Sequence, residues 1–130
     1  VKYLFVMVGA FFGAMARYEI SLLFSEQPFP IATAAVNIIG CFFLGFLLTL
    51  VTLSRQDRQV WALTFGTGFL GAFTTFSTFA LDVLILNLPM ALLYIGISLI
   101  VGIVFAGAGV WTARAVYSRL RKTRNVKEEI

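Results

Sequence analysis

The stretch Gly71-Ala72-Phe73-Thr74-Thr75-Phe76-Ser77-Thr78-Phe79 sets four hydroxyl side chains in the middle of an otherwise apolar run. The 27 residues from Val60 to Leu86 carry no charge before Asp82, which is more helix than the ~20 residues needed to cross a bilayer. Gly66, Gly68 and Gly71 raise the cost of regular helix, and clustered Ser and Thr side chains compete for backbone hydrogen bonds. A break is therefore expected between Gly71 and Thr75. In hydrocarbon such a break leaves peptide groups unpaired unless protein, water or a bound ion satisfies them. A polar interruption halfway through an apolar span is thus a candidate site.

The rest of the chain is equally apolar. Of 130 residues, 60% are hydrophobic and the mean hydropathy is +0.95, against roughly 45–50% apolar usage in soluble domains. This composition predicts a single all-α membrane domain over residues 1–130, with a basic tail from about residue 118. Six of the ten basic residues follow Trp111, so the net charge of +4 belongs to a tail rather than to a nucleic-acid surface. Cys41 has no partner for a disulfide and no His to share a metal with, so it reads as a small buried hydrophobe.

Four spans follow in order. Lys2, the apolar run from Tyr3 to Ala16 and the small residues Ala14 and Ala16 fit a secretory leader. However, Gly9 and Gly13 lie i, i+4 on one face where helices approach closely, and this is the pattern of a retained span. Arg17 is either a snorkelling anchor at that helix's end or a residue of a water-filled vestibule. Ser25 to Pro30 forms a turn, and Ile31 to Leu53 is the second span, with Thr33, Asn37 and Gly40 near one face. The Asn37 amide needs partners in lipid, either across to another helix or toward a permeating anion. Ser54 to Gln59, with Arg55, Asp57 and Arg58, is a polar loop. After the interrupted third span, Pro89 starts a fourth over Met90 to about Tyr117, in which Tyr94, Ser98 and Gly102 share a face. Arg119 to Glu129 is expected as a solvated basic tail, disordered at its end and drawn to anionic headgroups.

No constellation supports catalysis: the chain has no His, and no carboxylates pair at mid-span. The central stretch instead offers hydroxyls at Thr74, Thr75, Ser77 and Thr78 beside the rings of Phe76 and Phe79, which are i, i+3 apart. A phenyl edge is electropositive and attracts an anion weakly, and weak sequential sites suit conduction. Ordinary packing is the competing use for such rings. Carbonyls freed by the break are able to hold a small cation such as Na⁺.

The six residues Thr74 to Phe79 resemble the signature of the Fluc (CrcB) family of bacterial fluoride channels. Gly9-Ala10-Phe11-Phe12-Gly13-Ala14-Met15-Ala16-Arg17-Tyr18 and Val36-Asn37-Ile38-Ile39-Gly40-Cys41-Phe42 extend the similarity, which reaches about Tyr117. The resemblance implies four transmembrane helices, the third broken near mid-membrane, in an antiparallel dimer with two pores. It further implies that Phe76 and Phe79 face the pore with the Asn37 amide, that Ser77, Thr78, Tyr94 and Ser98 supply a polar track, and that carbonyls of Gly71 and Thr74 hold a structural Na⁺ at the dimer centre. Arg17 matches the family's first-helix arginine, and Asp82 matches an acidic residue after the signature. Two positions depart from the pattern: Ala72 replaces the second Gly of a Gly-Gly pair, and Gly102 replaces a hydroxyl residue.

The expected function is passive, fluoride-selective export across the bacterial cell membrane. The alternatives are a small multidrug-resistance-type proton-coupled exporter and a non-transporting membrane subunit. Lys2, Arg55, Arg58 and the tail fall on one side of a four-span chain, which predicts both termini cytoplasmic. A dual-topology homodimer needs insertion both ways, so pairing with an oppositely oriented paralogue stands beside it.

Overall fold

The computed structural model describes residues 2–53 and 63–128, and every regular element in them is helical. Helix α1 (Lys2–Leu23) and α2 (Ile31–Leu53) are followed by a π-helical segment (Leu63–Leu70). That segment runs into α3 (Gly71–Phe73), then α4 (Phe76–Ile85) and α5 (Leu88–Glu128). Among the described residues, four stretches are long and apolar enough to cross a membrane: Tyr3–Leu23, Ile31–Leu53, Thr64–Ile85 and Leu88–Lys122. The expected loop containing Arg55, Asp57 and Arg58 lies outside the described residues.

Two features differ from expectation. Before the break the third span is π-helix, in which each turn holds an extra residue. Gly66 and Gly68 make such widening cheap, and α1 packs directly on it, with a Cβ on Gly68 placed 2.6 Å from the Val6 carbonyl oxygen. The fourth helix also begins earlier and ends later than expected. Asn87 caps it, its Oδ1 accepting the Met90 N–H at 3.1 Å, while Pro89 occupies a first-turn position that needs no N–H. At the other end the basic tail, expected to be disordered at its end, is helix through Glu128. Residues 112–127 contain no Gly or Pro to stop it.

The packing is of two kinds. Helix α1 lies along the π-helical segment, and α2 lies along α5. Buried apolar residues are few, namely Val36, Leu70, Phe73, Ala91, Tyr94 and Ala113, while many large apolar side chains are exposed. That inside-out balance suits a chain whose surroundings are lipid, where small residues let backbones meet. Gly13 is one such close approach, since a Cβ there would collide with the Phe69 carbonyl oxygen of the neighbouring segment. Gly13→Ala is accordingly expected to destabilise by about 1–3 kcal/mol, because backbone rather than a side-chain tip must give way. Thermal unfolding in detergent checks this, and an unchanged midpoint would contradict the close approach.

Candidate functional site

The interruption falls at Thr74 and Thr75, both extended, with φ/ψ of −80°/159° and −148°/126°. It sits centrally in the Thr64–Ile85 stretch, with ten residues before it and ten after it. Two local choices create it. Thr75 leaves the helix to serve as the N-cap of α4, its Oγ1 accepting the Thr78 N–H at 3.2 Å and lying 3.0 Å from Thr78 Oγ1. Thr74 closes the preceding helix, its N–H and its hydroxyl both donating to the Leu70 carbonyl at 3.0 and 2.9 Å.

Asn37 of α2 holds the opened strand. Its Nδ2 donates to the Thr75 carbonyl at 2.9 Å, and the Thr75 N–H donates to its Oδ1 at 2.8 Å. One side-chain amide thus satisfies both peptide groups of the residue that left the helix. Asn37 therefore makes the interhelical bond that was one of its two expected uses, while its second Nδ2 hydrogen is left over at a cleft. One turn on, Gly40 makes room for the Thr74 methyl, which a Cβ at position 40 would strike.

These diversions expose two carbonyls. In continuous helix the Gly71 oxygen would accept from Thr75 N–H and the Thr74 oxygen from Thr78 N–H. Here Thr75 N–H goes to Asn37 and Thr78 N–H goes to Thr75 Oγ1. Gly71 is exposed, and a Cβ there would meet only the Gly66 carbonyl oxygen, at an ordinary van der Waals distance of 3.9 Å. The expected cation ligands are thus the carbonyls whose helical donors have been taken away. No cluster of His, Cys, Asp or Glu suited to a metal occurs among the described residues.

A cleft of about 400 Å³ opens beside the break, lined by Asn37, Gly40 and Cys41 from α2, by Gly71, Thr74 and Thr75, by Phe76 and Phe79 of α4, and by Ser98 of α5. Among the described residues no charged side chain lines it. The two rings stand 6.1 Å apart between centroids. Phe76 is 81% exposed, so in this chain it is not a packing residue. Phe79 rests on Tyr94 at 5.0 Å. Ser98 Oγ is buried with no hydrogen-bond partner, the one such side-chain atom among the described residues. A buried hydroxyl without an acceptor costs about 1–3 kcal/mol, and an acceptor in the cleft would relieve that. Cys41 is half-buried on the same wall rather than enclosed, because its i, i+4 relation to Asn37 turns it to the cleft.

A second cleft of about 280 Å³ is lined by Arg17, Tyr18 and Ser21 of α1, by Thr33, and by Thr75 and Thr78. Thr75 is part of both walls. The structure therefore gathers Asn37, Phe76, Phe79, Ser98, Gly71 and Thr74 at the first cleft, and Arg17 and Thr78 at the second. Ser77 is exposed and lines neither. Tyr94 also lines neither, being 1% exposed, with its hydroxyl donating to Asp82 Oδ2 at 3.3 Å and its ring edge-on to Phe29. Sequence reasoning passed over Thr75 as a cap and as the residue common to both clefts. Its signal was present in Thr75-Phe76-Ser77-Thr78, where a hydroxyl residue precedes an apolar helical run.

Residues 4–110 match the family described as CrcB-like protein, Camphor Resistance (CrcB). The chain belongs to the CrcB family. This CrcB chain is 42% identical over 116 residues to Fluoride-specific ion channel FluC 2 of Bacillus cereus, covering 84% of the chain and 94% of the relative. Against Fluoride-specific ion channel FluC of Acidobacterium capsulatum the identity is 38% over 127 residues, 92% of the chain and 98% of the relative. The same Bacillus cereus strain carries Fluoride-specific ion channel FluC 1, 36% identical over 114 residues, 82% of the chain and 79% of the relative. With its four apolar helices, this family member is a multi-pass membrane protein.

Proposed function

We propose that this CrcB chain is a passive fluoride channel of the bacterial cell membrane, and not an enzyme. The observation that carries the reading is the first cleft, where two phenyl rings, a spare amide hydrogen and an unpartnered hydroxyl meet beside a helix break, with no charged side chain among the described residues that line it. Such a wall supplies an anion with several weak donors. A fixed positive charge would hold the ion too firmly for release, whereas graded sites permit entry and exit. Arg17 in the second cleft serves to concentrate anions before they reach the break. Thr78 and Thr75 pass fluoride between the clefts by their hydroxyls. Tyr94 braces Phe79, and in this reading Ser77 is available to an adjoining subunit.

The break lies at mid-membrane in this reading, where its peptide groups have no water to rely on. The carbonyls of Gly71 and Thr74 fit a structural Na⁺, since both lack their helical donors and Gly71 is exposed. Two carbonyls are too few to enclose a cation. A second, antiparallel subunit supplies a matching pair, and the cation fixes the two subunits together at the centre. That subunit is either another copy or a paralogue, and the coexistence of FluC 1 and FluC 2 in one strain supports the second arrangement.

Export then needs no energy source beyond the membrane potential. An inside-negative potential drives an anion outward by about 2.3 kcal/mol per 100 mV. The exporter reading is weaker, because its carboxylate would have to lie deep in the first helix, and Glu19 is exposed near the end of α1. A purely structural subunit leaves the buried Ser98 hydroxyl unexplained.

Proteoliposomes loaded with fluoride separate these readings. Rapid electrogenic efflux of fluoride, with chloride retained, is the expected outcome for the channel. Proton-coupled uptake of a cationic dye would indicate the exporter, and no transport by the chain alone or with a paralogue would indicate a structural subunit. Exchanging Na⁺ for a bulky organic cation during purification is expected to lower the fraction of dimers on size-exclusion chromatography. Unchanged dimer content would remove the cation from the assembly.

A further inference from the structure

We infer that the C-terminal part of α5 is a binding face for anionic phospholipid headgroups in the leaflet that borders the start of α1. Helices α2 and α5 run in the same direction, their close contacts offset by 61 to 67 residues, the larger values at Gly109, where a Cβ would strike Phe42 and crowd Phe46. Gly45 meets Ala106, an offset of 61, and Cys41 Sγ faces Gly102, again 61, at 3.4 Å from where a Cβ would be. By these offsets Leu53, the last described residue of α2, falls level with the segment from Arg114 to Leu120. The short turn between α1 and α2 makes them antiparallel, so this is also the end at which Lys2 begins α1.

The length of α5 exceeds what a membrane can enclose. Its 41 residues span about 60 Å, whereas a bilayer is ~30 Å of hydrocarbon and ~40–45 Å with its headgroups. The surplus lies at the C-terminal end, beyond buried Ala113.

Composition changes at the same point. Arg114, Arg119, Arg121, Lys122, Arg124 and Lys127 follow, with no acidic residue between Asp82 and Glu128. Because the segment is helix, the charges from Arg114 to Lys122 have fixed directions. Trp111, Arg114, Ser118, Arg121 and Lys122 fall on one side at helical spacing, and all five are exposed. Trp111, 72% exposed, is suited to the membrane interface, and the basic side chains beginning three residues further on lie at headgroup depth. An aromatic ring at the boundary followed by aligned cations is complementary to an anionic lipid surface. The inference is independent of the fluoride reading.

Fluorescence quenching by brominated lipids tests it on the full chain. Trp61→Phe leaves Trp111 as the sole tryptophan. In nanodiscs with the same mole fraction of brominated lipid, brominated phosphatidylglycerol is expected to quench Trp111 at least about fivefold more effectively than brominated phosphatidylcholine. The preference should shrink in 0.5 M NaCl. In the Arg114→Gln, Arg121→Gln, Lys122→Gln variant the phosphatidylcholine quenching should persist while the preference disappears. Equal quenching by the two lipids in the parent chain, or a preference indifferent to salt, would overturn the inference. The salt titration decides even if the triple variant does not fold.

Discussion

Asn37→Leu is expected to abolish fluoride efflux and to destabilise the chain by about 2–6 kcal/mol. The estimate comes from two bonds lost at once. The N–H and carbonyl of Thr75, which now pair with Asn37 at 2.8 and 2.9 Å, would both be stranded, at about 1–3 kcal/mol each. Leucine preserves approximate volume, so the cost is polar rather than steric. Asn37→Asp separates the two roles of the amide. An aspartate still accepts from Thr75 N–H but offers no hydrogen to the carbonyl, and it sets a carboxylate on the cleft. That variant should retain more stability than Asn37→Leu while failing to conduct, since a negative charge there repels the permeant ion. Thermal unfolding and efflux measured on the same preparations check both statements. An Asn37→Leu protein that melts like the parent would show that the break does not depend on this amide.

Phe76→Ile should lower fluoride flux about tenfold with almost no change in stability. The ring is 81% exposed within the chain, so its removal costs little packing. Its polarised edge contributes to anion attraction on the order of 1 kcal/mol, which isoleucine cannot supply. Phe79→Ile should affect both quantities. Phe79 rests on Tyr94 at 5.0 Å, an aromatic contact worth about 0.5–1.5 kcal/mol beyond its area. Measured together, flux and unfolding distinguish a ring that guides an ion from one that fills space. Undiminished flux in both variants would remove the rings from the mechanism.

The helices were readable because their signals are additive over many residues. Apolar runs, Pro28 and Pro30 at the first turn, and Gly-rich, hydroxyl-rich sequence at the break all act within a few positions of where the structure responds. The second helix spans Ile31–Leu53 as expected, and the third is interrupted within the expected Gly71 to Thr75 window. The bond from Asn37 to Thr75 connects residues 38 apart, and periodicity on α2 could show only that the amide needed some partner. Likewise the π-helical segment depends on how closely α1 approaches Gly68, a property of two elements together. The end of α5 was misjudged for a different reason. A dense run of Arg and Lys suggests a solvated tail that ends in disorder, although both are good helix formers and nothing in the run through Glu128 breaks a helix already nucleated within the span. The resemblance puts Ser77 on a polar track with Thr78, yet one residue of helix rotates a side chain by about 100°, and within this chain Ser77 stands clear of both clefts.

The most direct test is the reversal potential of the purified chain in a planar bilayer with fluoride on one side and chloride on the other. A path lined by ring edges and hydroxyls around a clasped helix break predicts a sustained current whose reversal potential follows the fluoride gradient and ignores the chloride gradient, and which vanishes in Asn37→Leu. A current that reverses midway between the two gradients, or that survives the loss of Asn37, would contradict it.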